Sequence, residues 1–103
     1  MKLQLLDRAR KDIQHIRGHL KTRSPDGLQG VLADITRCFR SIESQPLAGR
    51  ETPLDHVYER VSVKYHYLIP YLIRGDTITV LRVYDTRRQD YDYSTLLGGD
   101  KEE

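Results

Sequence analysis

Seven apolar residues between Leu28 and Ile42 constrain this chain more than any other feature. Leu28, Val31, Leu32, Ile35, Cys38, Phe39 and Ile42 fall at offsets of 0, 3, 4, 7, 10, 11 and 14, the period of one helical face. A stripe of that length must be buried, so other elements have to cover it. Ser24-Pro25-Asp26 marks its start, with a capping hydroxyl, a proline suited to the first helical position and a carboxylate at the positive end of the helix dipole. Ser44-Gln45-Pro46 ends it. An earlier helix is expected with Asp7 as its N-cap, because Ala9, Ile13, Ile16 and Leu20 recur at steps of four, three and four. Gly18 lies inside that helix, where glycine costs about 1 kcal/mol relative to alanine. The two segments are close enough in sequence to pack as a helical hairpin.

The rest of the chain reads as strands. Leu3–Leu6 is a short edge strand before the hairpin, and Pro46 to Pro53 is a loop or irregular edge strand. Val57–Val63, Tyr67–Ile73 and Thr77–Val83 follow with tight turns between them, which predicts an antiparallel meander. Tyr67–Ile73 is apolar on both faces, as a central strand is, yet Pro70 cannot donate to a ladder and implies a bulge or a free N–H side there. Arg74-Gly75-Asp76 is a hairpin turn. The expected class is therefore α+β, β-α-α-β-β-β, with the helical hairpin packed on an antiparallel sheet.

At 103 residues the chain is expected to form one domain, residues 1–93, followed by an acidic and disordered tail over 94–103. With 38% hydrophobic residues, 31% charged residues and no Trp, its core must come from Leu, Ile, Val and Tyr. No run reaches the roughly 20 apolar residues of a membrane span. The N-terminus lacks a signal-peptide core, and Cys38 is the sole cysteine, so a cytoplasmic location is the expectation. The net charge of +2 hides a segregation. Six Lys/Arg stand against two Asp from Asp7 to Arg23, and three basic residues stand against six acidic ones from Asp85 onward. The basic helix attracts either an acidic partner or the chain's own tail.

Arg60 on the first meander strand and Arg82, Arg87 and Arg88 at the end of the last gather guanidinium groups near one rim of the sheet. Such a rim suits a nucleic-acid phosphate or an acidic protein. General acid–base chemistry at such a rim also needs a base and an acid. His66 lies in a turn, tyrosines ionise near pH 10, and Asp85 and Glu59 have no evident tuning. His15 and His19 are spaced i, i+4 but lack a third ligand in sequence, so no metal or other cofactor is expected. Cys38, inside the helical stripe, suits a small buried hydrophobe.

Taken together, the helical hairpin, Pro46-Leu47-Ala48-Gly49-Arg50, Arg60, the run Tyr67-Leu68-Ile69-Pro70-Tyr71-Leu72-Ile73-Arg74-Gly75-Asp76, Thr77-Ile78-Thr79-Val80-Leu81-Arg82-Val83 and Arg87-Arg88 resemble the RelE/ParE toxin superfamily. The resemblance spans Leu3 to Arg88. It implies a small toxin encoded beside an antitoxin that wraps it. The RelE-like branch cleaves messenger RNA on the ribosome, whereas the ParE-like branch poisons DNA gyrase. The Leu81-Arg82-Val83 and Arg87-Arg88 ending is closer to the ParE side. Two departures stand out: Tyr84-Asp85 where many members carry His, and Lys64-Tyr65-His66 in place of a small glycine turn.

The leading expectation is a gyrase inhibitor acting by binding, with Arg60, Arg82, Arg87 and Arg88 on the target. Arg8, Lys11, Arg17, Tyr67 and Tyr71 are the expected antitoxin contacts, although both tyrosines also suit the core. The alternative is a ribosome-dependent ribonuclease with Arg60, Arg82, Tyr84 and Arg87 in its site. A third reading is a decayed toxin that only binds.

Overall fold

The computed structural model describes residues 1–62 and 64–87. A strand β1 (Lys2–Leu5) leads into helices α1 (Asp7–Arg23) and α2 (Pro25–Ser44). A single 3-10 turn over Pro46–Ala48 follows. The remaining strands are β2 (Arg50–Glu51), β3 (Val57–Ser62), β4 (Tyr67–Arg74), β5 (Thr77–Val80) and β6 (Tyr84–Asp85).

The sheet runs β1-β5-β4-β3-β2, with β6 beside the start of β4. The meander is antiparallel as expected, but β1 pairs with β5 in parallel, Lys2 opposite Thr77 through Leu5 opposite Val80. The sheet is therefore mixed, which corrects the fully antiparallel expectation. Antiparallel neighbours can be joined by tight turns, whereas this parallel pair is joined through both helices and the meander. The irregular edge strand after Pro46 materialises as β2, which pairs with Tyr58 and Glu59.

Ser24 caps α2 as read, its Oγ accepting the Gly27 N–H at 3.2 Å behind Pro25. Asp7 does not cap α1. The N-cap position falls on Leu6 without a side-chain bond, and Asp7 stands in the first turn, where its charge meets the helix dipole.

Pro70 is accommodated without a bulge in its pairing, for it stands opposite Glu59 in the β3–β4 ladder. Its carbonyl accepts the Leu81 N–H at 2.9 Å, so its nitrogen faces that same side. There β5 has ended at Val80 and β6 begins only at Tyr84, and no ladder donor is required.

Both faces of the sheet are covered. Against the helices lie Tyr67, Ile69, Tyr71, Ile78 and Val80, packed with Ala9, Val31, Ile35 and Ile42. A smaller cluster of Val57, Leu68, Leu81 and Tyr84 fills the opposite face with Leu6, Leu54, Val61 and Leu72. The seam between α2 and the sheet carries polar links as well. Ser62 Oγ donates to Asp34 Oδ2, and the Tyr71 hydroxyl donates to the Pro46 carbonyl at 2.6 Å. Gly49 belongs to this seam because a Cβ there would land on the Tyr71 hydroxyl and 3.0 Å from the Glu59 carbonyl. His56 and His66 both take positive φ, 64° and 65°, at the entry to β3 and the end of the β3–β4 turn.

Candidate functional site

The arginines of the expected rim are held by different neighbours. Arg82 lies just past β5 and reaches α1, where it forms a two-pronged pair with Asp12: Nε to Oδ2 at 2.7 Å and Nη2 to Oδ1 at 2.9 Å. Asp12 Oδ2 also accepts the Val83 N–H at 2.9 Å. The other side of the guanidinium covers the Tyr84 ring, 4.7 Å from its centroid. Arg87 folds onto Asp85, with Nε 3.1 Å from Oδ1, and this contact raises its pKa further. Arg88 lies outside the described residues.

Arg60 is placed differently from its expected position on an open rim. Register puts it on the helix-facing side with Tyr58 and Ser62, beneath α2, where its charge acts on Cys38 and Tyr71. Its Nε and Nη2 are buried and have no hydrogen-bond partner. The neighbouring cation Arg50 is engaged on the β2 edge with Glu59, at 2.7 Å.

Of the expected antitoxin contacts, Lys11 and Arg17 are exposed on α1 and Arg8 is half-buried. Tyr67 and Tyr71 belong to the core, 6% and 0% exposed, because their strand parity turns them under the helices, and Tyr67 also lines a groove beside α1. Burial pushes both phenols above the usual tyrosine range. The Asp85 carboxylate adds to the rise at Tyr67, and the Arg60 charge opposes it at Tyr71. Burial likewise raises the Cys38 thiol, with Asp34 adding to the effect, and Cys38 is only half-buried where it packs against the core.

A groove of about 260 Å³ runs between α1 and the start of β4. Ile16, Leu20, Tyr67 and Val83 form its floor, and His15, His19 and Asp85 its walls. The histidine pair thus borders a groove. Among the described residues no group of three His, Cys, Asp or Glu is arranged to hold a metal, and no helix is long and apolar enough to cross a membrane.

Asp12 and Asp34 escaped the sequence reading. Both are acidic residues on the flank of an apolar helical stripe, beside Ile13 and Ile35, and that position was the available signal.

The fold is similar to that of a protein from the chromosomal ParDE TA system of P. aeruginosa, with a TM-score of 0.72 and 19% identity over 82% of this chain and 95% of that one. It is also similar to the isolated E. coli RelE toxin, with a TM-score of 0.63 and 16% identity over 86% and 87% of the two chains. At these identities the likeness speaks for the fold alone. A sequence search among curated proteins finds no match. The family profile described as "ParE toxin of type II toxin-antitoxin system, parDE" matches residues 3–90. With that match spanning nearly all of the described structure, the chain belongs to the ParE toxin family of type II toxin-antitoxin systems.

Proposed function

We propose that this chain acts by binding, as an inhibitor of DNA gyrase, and that a cognate antitoxin neutralises it. The observation that carries this reading is the Asp12–Arg82 pair. An arginine expected to clamp a phosphate is committed, through both prongs, to holding α1 on the sheet. In this reading the antitoxin seats apolar side chains in the groove over Ile16, Leu20, Tyr67 and Val83, in the manner of an amphipathic segment in a hydrophobic groove.

The test is gyrase supercoiling with purified protein. Loss of supercoiling at stoichiometric protein, restored by the antitoxin, is expected; full supercoiling under those conditions overturns the proposal. A ribosome-dependent ribonuclease is the second reading, favoured by the unpartnered guanidinium atoms of Arg60. Its mark would be cleavage of ribosome-bound messenger RNA that disappears in Arg60→Ala.

A further inference from the structure

The outer face of α1 has a composition that the packing of the chain does not require. At about 100° per residue, Gly18 lies opposite the buried Ala9, Ile13, Ile16 and Leu20 stripe. Arg10, Lys11, Gln14, Arg17 and Lys21 fall with it inside an arc of roughly 120°. All six are exposed. Among the described residues none of the four cations has an ion-pair partner. Asp7, in the first turn, is the arc's one carboxylate, since Asp12 is turned inward onto Arg82.

Gly18 is the second observation. A glycine inside a helix weakens it, and this one has no internal reason to be there, because a Cβ at the position would meet nothing within 4 Å. A missing side chain midway along a cationic face lets another molecule approach the helix backbone.

We propose that this face of α1 docks on the sugar-phosphate backbone of duplex DNA, with Arg10, Lys11, Arg17 and Lys21 on phosphates and Gly18 as the point of close approach. Lys11 and Lys21 are about 15 Å apart along the axis, the rise of four to five base pairs. Gln14 adds a neutral donor of the kind that phosphate contacts use. An acidic protein surface fits less well, because the arc has no apolar or aromatic residue to anchor a protein interface. The same absence of aromatics argues against single strands, which bind by stacking. The face is distinct from the groove assigned to the antitoxin, and in this inference Lys11 and Arg17, expected from the sequence as antitoxin contacts, go to phosphate instead.

The experiment is fluorescence anisotropy with a labelled random-sequence DNA duplex and the intact protein. Four neutralised phosphates give a slope near −3.6 in log affinity against log salt, or about a 150-fold loss between 50 and 200 mM. Lys11→Gln with Arg17→Gln is expected to flatten that slope by about 2. Gly18→Ala is expected to raise the melting temperature while weakening DNA binding, opposite directions that a purely structural glycine would not produce. The inference is overturned by absence of binding at 50 mM salt. It is equally overturned by an unchanged slope in the double variant, by unaltered binding in Gly18→Ala, or by polyglutamate binding as tightly as the duplex. None of these outcomes depends on gyrase inhibition.

Discussion

Replacing Asp12 by Ala removes the acceptor for three hydrogen bonds, two from the Arg82 guanidinium and one from the Val83 backbone. The pair is only partly exposed, with side chains at 26% for Arg82 and 16% for Asp12, so solvent screens it incompletely. Breaking a fully buried pair costs about 3–5 kcal/mol, and hydrogen bonds to charged groups contribute about 1.5–3 kcal/mol. Discounting for partial exposure, and for water reaching Arg82, places the loss at about 2–3 kcal/mol. For a domain of this size that lowers the melting temperature by roughly 9–14 °C. Asp12→Asn should lose less, about 1 kcal/mol, because its amide oxygen can still accept the Val83 N–H. Urea unfolding of wild type, Asp12→Ala, Arg82→Gln and the double variant isolates the pair. A coupling energy of about 1–2 kcal/mol is expected between the two side chains. A coupling near zero, or an Asp12→Ala loss below about 0.5 kcal/mol, would refute the argument that this carboxylate pins α1 to the sheet.

Tyr67 and Tyr71 give stability a ceiling in pH. Their folded pKa values lie above the unfolded value of about 10, so their contribution is complete below that pH and is lost as pH rises through the folded values. Urea midpoints should therefore fall above pH 10, and less steeply in Tyr67→Phe. His66→Gly should stabilise the protein by about 0.5 kcal/mol, since φ is 65° there while the Thr86 N–H still reaches the same carbonyl; thermal unfolding reads the gain. Gly49→Ala should cost about 1–3 kcal/mol, because its Cβ displaces the Tyr71 hydroxyl from the Pro46 carbonyl; a wild-type denaturation midpoint would sink that assignment.

What the sequence made legible was local. The period of Leu28 to Ile42 and the Ser24-Pro25 start reappear as α2 and its cap, because both signals lie within a few turns of chain. The meander was legible for the same reason, through turns such as Arg74-Gly75-Asp76. Strand parity misled at Arg60. Val57 and Val61 make the opposite face look like the inner one, yet both faces are covered and the larger core lies on the side of Arg60. The partner of Arg82 was out of reach, because Asp12 is 70 residues away and nothing in either neighbourhood points to the other. Parallel pairing of β1 with β5 was hidden likewise, since no turn connects them.

That parallel pair also sets a clock on biosynthesis. Leu3 is made first, and Ile78, its partner, 75 residues later. At roughly 5–20 residues per second the N-terminal strand waits about 4–15 s for the strand it must join. Until Thr77–Val80 emerges, β1 has no strand to pair with and the sheet lacks its parallel edge. Chains arrested before Thr77 should accordingly be cut by protease within α1, while released chains resist. The sheet is then completed only once β5 has followed β1 by about 75 residues, so the order of synthesis leaves β1 without its parallel partner for that interval.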